Sequence, residues 1–303
     1  MGFADNRVLL PFPAPLDMTG SLGFLGRNGD DYLDRWDGER WLRTLAAGSR
    51  HIPFCCRVAG TTAAPCLEIR VAAAADLAPV REAASRSFIP AGRGFGALVR
   101  RDPALARLNR RFPGIRQVRQ FDLFYGLVRA ISAQQVNLRW AATVRRRLAE
   151  THGEKLSVGD DFVYALRPEV VAALRVADLR ALQFTTRKAE SILAVAEALA
   201  GGALSPERLA TMPDAAAMRA LTALRGIGPW SAEWILVRCL GRPRLVAGDL
   251  AVKKGVAIVY LGQETATEEE VRRTVAHWGT EATTAQAILL HAYGLKALAA
   301  GPA

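Results

Sequence analysis

Apolar residues change rhythm along this chain. Cys66–Val71 (CLEIRV) alternates apolar and charged positions, the period of a half-buried strand. Arg40–Leu45 and Ile52–Val58 are further short strand candidates, with turn chemistry at Gly48 and at Gly60-Thr61-Thr62. Leu22-Gly23-Phe24-Leu25 is a short apolar run in a Gly-rich segment. After Ala72, Pro79–Phe88 starts a helix that Pro90-Ala91-Gly92-Arg93-Gly94 breaks. From about Phe121 the spacing turns helical and strand signals nearly vanish. Phe121, Phe124, Leu127, Val128 and Ile131 form one face, and Val136–Leu148 a second helix. Further helices are expected at Glu169–Leu174, Arg187–Leu199, Pro213–Leu224, Trp230–Leu240, Leu250–Tyr260, Glu268–Trp278 and Thr283–Leu298. The pattern predicts a mainly α protein: a small α+β domain over 1–78, then an all-helical region over 79–303.

Composition fits a folded chain. Of 303 residues, 50% are hydrophobic and 23% charged, which excludes a disordered polymer. No apolar run reaches the roughly 18 residues of a membrane span. The start, MGFADNRVLLPFPAP, carries an acid and lacks a signal-peptide cleavage site, so a cytoplasmic protein without a membrane partner is expected. Net charge is +11, with 40 basic against 29 acidic residues, and a polyanion is the leading explanation. Only Lys155, Lys188, Lys253, Lys254 and Lys296 are lysines; the arginine excess, beside abundant alanine, reads as codon bias. Cys55, Cys56, Cys66 and Cys239 have neither zinc nor iron–sulfur spacing and read as ordinary thiols. His51, His152, His277 and His291 are scattered, and no role is assigned to them.

The most informative stretch is 221–255, LTALRGIGPWSAEWILVRCLGRPRLVAGDLAVKKG. A helix ends near Leu224, Gly226-Ile227-Gly228-Pro229 turns the chain, and a helix restarts at Trp230. Two glycines permit a tight turn, and the apolar residue between them can plug the gap between helices. Pro229 suits a first helical position. Amides at such a turn face outward at the positive end of a helix, where a phosphate fits. Gly-Ile-Gly alone is equally compatible with a plain helix connection. Asp249, 21 residues beyond Gly228, taken alone reads as an N-cap.

Together, Leu-x-x-Leu-x-Gly-Ile-Gly-x-Trp-Ser-Ala and the Asp about twenty residues on resemble the helix-hairpin-helix DNA glycosylase superfamily. Trp230 and Gly248-Asp249-Leu250-Ala251-Val252-Lys253 are similar to its 3-methyladenine DNA glycosylase II branch. FDLFYGLVRAISAQQV (121–136), Thr186-Arg187-Lys188-Ala189 and Leu22-Gly23-Phe24-Leu25 agree with that branch. Near the end, Trp278 and Ala285 are kept. Thr280, Ala282 and Thr283 replace the family's Pro, Arg and Ser, and Leu290 stands where an aromatic is expected.

The resemblance implies a pair of helical subdomains with the active-site cleft between them and the hairpin at 221–240. It implies a monomeric enzyme of base excision repair that flips alkylated purines (3-methyladenine, 7-methylguanine) out of double-stranded DNA and hydrolyses their N-glycosidic bond. Asp249 would be catalytic. Trp230, Trp234, Phe24 and Leu290 would form the pocket, although each aromatic taken alone reads first as core packing. Gln134, Gln135, Arg225, Gly226, Ile227, Gly228, Ser231 and Lys253 would contact DNA. Relatives that cleave the strand carry a hairpin lysine where this chain has Trp230, so a monofunctional enzyme is expected. No cofactor, no iron–sulfur cluster and no catalytic metal is implied; the resemblance leaves room only for a structural monovalent cation at the hairpin. The competing expectations are a non-catalytic damage-binding protein on the same scaffold, and a glycosylase for hypoxanthine or uracil.

Overall fold

A computed structural model describes residues 6–48 and 50–298; residues 1–5, on which part of the N-terminal reading rests, and 299–303 lie outside the described residues. Strands β1 (Arg7–Pro11), β2 (Arg35–Trp36), β3 (Arg40–Ala47), β4 (Arg50–Val58) and β5 (Cys66–Val71) form one antiparallel sheet in the order β1-β5-β4-β3-β2. Its inner face carries Trp41, Phe54, Cys56, Leu67 and Ile69. Helix α1 (Met18–Arg27) covers this face with Leu22 and Leu25, so the run Leu22–Leu25 is helical. Asp17 caps α1 by accepting from the Gly20 amide at 2.8 Å. Helix α2 (Leu77–Ser85) adds Val80 and Ala84 to the same core.

Helices α3 (Phe95–Arg101) and α4 (Pro103–Arg111) follow where the sequence pattern gave no element. Next come α5 (Leu123–Ala133) and α6 (Leu138–His152), capped by Asp122 and Asn137. The expectation of an all-helical region is then corrected. Strands β6 (Glu154–Val158) and β7 (Asp161–Ala165) form a hairpin. Val158 and Val163 pack on Leu42 and Cys55, covering the outer face of the sheet. The alternation in LSV-FVYA is short and comes directly after a helix, so it was masked by its surroundings. It also explains why β3 is buried on both faces from Trp41 to Thr44.

Six helices, α7 (Pro168–Ala172), α8 (Val176–Ala181), α9 (Thr186–Ala200), α10 (Pro206–Thr211), α11 (Asp214–Thr222) and α12 (Pro229–Arg238), build a second core with α5 and α6. The third core joins α3 and α4 to α13 (Leu250–Val256), α14 (Glu268–Thr274) and α15 (Ala282–Gly294). The expected single helix to Tyr260 is α13 followed by a wider turn at Ala257–Leu261. Among the described residues no helix is long and apolar enough to cross a membrane. Cys55, Cys56, Cys66 and Cys239 are free thiols, and burial raises Cys55 to about 11.

Candidate active site

The turn between α11 and α12 is built by its glycines in two different ways. Gly226 has φ +77°, and a Cβ there would lie 2.0 Å from the Ser191 hydroxyl. Only glycine fits such a position. Gly228 is extended (φ −89°), exposed, and a Cβ there would meet nothing within 4 Å. Between them Ile227 is buried in the second core, the plug that the spacing predicts. Gly228 is the N-cap of α12 and supplies no side-chain acceptor, so the first-turn amides point away from the helix body at its positive end.

Gln134 and Ser231 turn inward. The Gln134 amide donates to the Gly226 carbonyl at 2.9 Å and to the Ser231 hydroxyl at 3.1 Å, and Ser231 is buried. These side chains hold the turn by hydrogen bonds within the protein. Gln135 does the opposite. It is exposed, has φ +52°, and makes no hydrogen bond among the described residues. A non-glycine residue in the left-handed region is uncommon; Tyr32, Gln183 and Lys296 share that conformation. Arg225 is exposed and paired with Glu190. Two of the turn's carbonyls are engaged, Leu224 by the Ile227 amide and Gly226 by Gln134.

A cavity of about 580 Å³ opens beside the hairpin and is walled by all three cores: Phe24 from the first, Trp234 from the second, Val252 and Leu290 from the third. Trp230 and Asp249 line it too, so every expected pocket residue meets the expected carboxylate in one space. Lys253 lies outside that lining, and among the described residues no lysine enters it.

Asp249 is both N-cap and cavity residue. One carboxylate oxygen accepts from the Ala251 and Val252 amides at 2.9 and 3.2 Å. The other accepts from the Trp230 indole N–H at 3.4 Å. Capping thus fixes the rotamer, and the second oxygen faces the cavity. Asp249 is the only acid in the lining. Glu233, on the hairpin helix, is buried elsewhere and paired with Arg272 at 2.7 Å.

Several cavity residues were not legible in the sequence. The Arg238 guanidinium lies 4.5 Å from the Phe24 ring centroid and 5.8 Å from that of Trp234; Arg129 is 5.5 Å from Phe24. Phe24 therefore lines the cavity with its ring already engaged by cations. Burial and the neighbouring Arg129 push Arg238 down to about 9, which leaves it charged at neutral pH. Burial and Arg27 hold His291 below the usual histidine range, so it is neutral there. Leu138 (48% exposed) at the cavity and Leu250 (63%) beside Asp249 are among the exposed large apolar side chains.

A turn of Gly-Ile-Gly type against a cavity holding one carboxylate and two tryptophans is the arrangement of a helix-hairpin-helix repair protein. The chain belongs to the HhH-GPD superfamily of base excision DNA repair proteins, whose family model matches residues 128–281. It is 30% identical over 186 residues to the DNA-3-methyladenine glycosylase of Bacillus subtilis (strain 168), covering 61% of each chain. It is 33% identical over 137 residues to DNA-3-methyladenine glycosylase 2 of Escherichia coli (strain K12), covering 45% of this chain and 47% of that protein. The chain thus spans about three fifths or less of these two relatives. The 3-methyladenine DNA glycosylase of Archaeoglobus fulgidus shares its fold, with a TM-score of 0.82 at 20% identity over 95% of this chain and 98% of that one.

Proposed function

We propose that this protein is a monofunctional DNA glycosylase that removes alkylated purines, 3-methyladenine and 7-methylguanine, from double-stranded DNA, acting as a monomer in a cleft between the helical cores to which α1 adds Phe24. The observation that carries this reading is the Asp249 carboxylate at the wall of a cavity with Trp230 and Trp234 beside a glycine turn open to phosphate.

The reaction needs little from the protein. A base must leave the stack to be reached. Exposed Gln135 is positioned to fill the gap it leaves, while Gly228 lets a phosphate approach the α12 amides. A purine alkylated on its ring is cationic, so it departs as a neutral base without being protonated. The N-glycosidic bond breaks, its electron pair goes to the base, and C1′ gains oxocarbenium character. The Asp249 oxygen that accepts from the Trp230 indole faces that charge. Water then adds to C1′ and gives its proton to Asp249 or solvent. One carboxylate suffices where most glycosidases use two, because the leaving group carries its own charge. Trp230 and Trp234, one helical turn apart, offer stacking surfaces to an electron-poor ring.

A base-release assay on duplexes carrying 7-methylguanine, 3-methyladenine, hypoxanthine or uracil tests the reading. Release of the methylated purines, leaving an intact abasic strand, is expected. Release of hypoxanthine or uracil faster than methylpurines would overturn it, since no proton donor for a neutral base has been assigned here.

A further inference from the structure

The cavity is larger and more cationic than a methylated purine requires. At about 580 Å³ it has the size of a site for a drug-sized ligand. Five arginines line it: Arg27, Arg116, Arg129, Arg145 and Arg238. Three feel counter-charges. Arg145 pairs with Asp31 at 2.7 Å, Arg129 donates to the Tyr125 hydroxyl at 3.1 Å, close to Asp31 and Asp34, and Arg238 is close to Asp249 and Asp34. For the other two, Arg27 and Arg116, no carboxylate oxygen comes within 4.0 Å among the described residues.

Arg116 and Arg238 are held by neutral groups; Arg27 is not. Arg116 donates to the carbonyls of Ile115 and Pro15 at 2.9 and 3.1 Å. Arg238 donates to the Val118 carbonyl at 3.0 Å, and Gln117, with its amide oxygen turned toward the guanidinium, accepts at 2.6 and 2.7 Å. Arg27 has a buried Nη1 with no partner. A Cβ on Gly294 would come 2.5 Å from that nitrogen, so the end of α15 is shaped around the guanidinium. Gly294 lies one helical turn beyond Leu290, roughly 6 Å along the wall. The cavity is therefore polarised: its one carboxylate, Asp249, by the hairpin, and uncompensated guanidiniums along the side formed by α1, the 115–117 segment and the end of α15. Buried or half-buried cations without partners are costly, and a ligand that neutralises them recovers that cost.

The geometry points to an anion-binding end of the base cavity: the lesion that fills it is a purine whose N-alkyl substituent ends in a carboxylate, such as a carboxymethyl group, with the cationic ring at Asp249 and the carboxylate between Arg27 and Arg116. This rests on the glycosylase reading above and names its substrate class more closely. The charges of such an adduct match the polarity of the cavity at both ends, whereas a methylpurine matches only one. The same anionic chemistry could be supplied by a backbone phosphate of the flipped nucleotide, and the test separates the two.

Single-turnover release is compared on duplexes carrying 7-methylguanine, 7-hydroxyethylguanine or 7-carboxymethylguanine at one site. The carboxymethyl adduct is expected to leave with at least a tenfold higher kcat/KM than the neutral hydroxyethyl adduct of similar size. In R27M and R116M that ratio falls towards one, and R27K restores part of it. A second measurement is independent of catalysis: quenching of tryptophan fluorescence by free 7-carboxymethylguanine and free 7-methylguanine, where the carboxylate is expected to tighten binding at least tenfold in wild type and not in R27M. If no duplex lesion is released but the free bases show this preference, the glycosylase reading fails and the anion site stands. Equal binding of the two free bases by wild type overturns the anion site, whatever the duplex assay shows. So do R27M and R116M proteins that slow all three lesions by one factor and bind undamaged duplex more weakly, which would assign the guanidiniums to backbone phosphate.

Discussion

Replacing Asp249 by Asn separates two functions that one side chain carries. As N-cap, Asp249 accepts from the Ala251 and Val252 amides, and Asn serves that role nearly as well. As a charge it faces the cavity, and Asn removes it. An opposite-charge pair at roughly 3.5 Å and an effective dielectric of about 20 is worth about 5 kcal/mol. Full loss corresponds to a rate decrease on the order of a thousandfold. The D249N protein is thus expected to unfold at wild-type denaturant concentration, to bind lesion-containing duplex with wild-type affinity, and to release 7-methylguanine a hundred to a thousand times more slowly in single turnover. D249A, lacking both functions, should show the same rate loss and also lose about 1 kcal/mol of stability. The contrast between the two variants is what makes the argument testable. Near-wild-type release by D249N would reduce Asp249 to a helix cap, and an equal stability loss in both variants would mean that the cap depends on the charge.

The two hairpin glycines should part company: G226A is strained by its φ of +77° and the Ser191 hydroxyl and loses about 1–3 kcal/mol in a denaturant titration, while G228A folds normally but binds every duplex more weakly and with a shallower salt dependence. A G228A protein with unchanged DNA affinity would remove the phosphate from that turn. Borohydride added during turnover should trap no protein–DNA adduct, since no lysine among the described residues lines the cavity; a trapped band on a denaturing gel would identify an amine nucleophile. Asp102, although burial alone would raise it, is held below the usual carboxylate range by the Leu105 amide, His277, Tyr260 and Trp278. Its contribution is present above the unfolded value, about pH 4, and is lost as pH falls through the lower folded value. The stability gap between wild type and D102N should therefore be widest near neutrality and close in acid, and a gap constant with pH would refute the assignment.

The hairpin and Asp249 were legible because their constraints are local: a turn needs glycine, a plug needs an apolar residue, a cap needs an acceptor within three residues. The tryptophans followed from helical spacing within one segment. Gln134 and Gln135 were adjacent and indistinguishable in sequence, because the left-handed φ that turns one outward and the other inward is set by where α5 ends against the hairpin. The cavity arginines were lost among many others, since a partnerless guanidinium differs from an ion-paired one only through residues distant in the chain. Helix α3 went unseen because its N-cap, Gly94, lies inside the segment that Pro90 and the glycines break, and α4 because its nine residues bury only Leu105 and Leu108.

The β6–β7 hairpin has a mechanical consequence. It braces the sheet, and two buried guanidinium–carboxylate contacts tie down the loop before β2: Arg43–Asp34 to strand β3 and Arg145–Asp31 to helix α6. On the proposed glycosylase reading, walls braced in this way leave the deformation needed to bring a base into the cavity to the duplex. Bending a site of 20–30 base pairs costs on the order of 1–6 kcal/mol, least at pyrimidine–purine steps. Identical lesions would then differ in how readily they are released according to the stiffness of the surrounding helix.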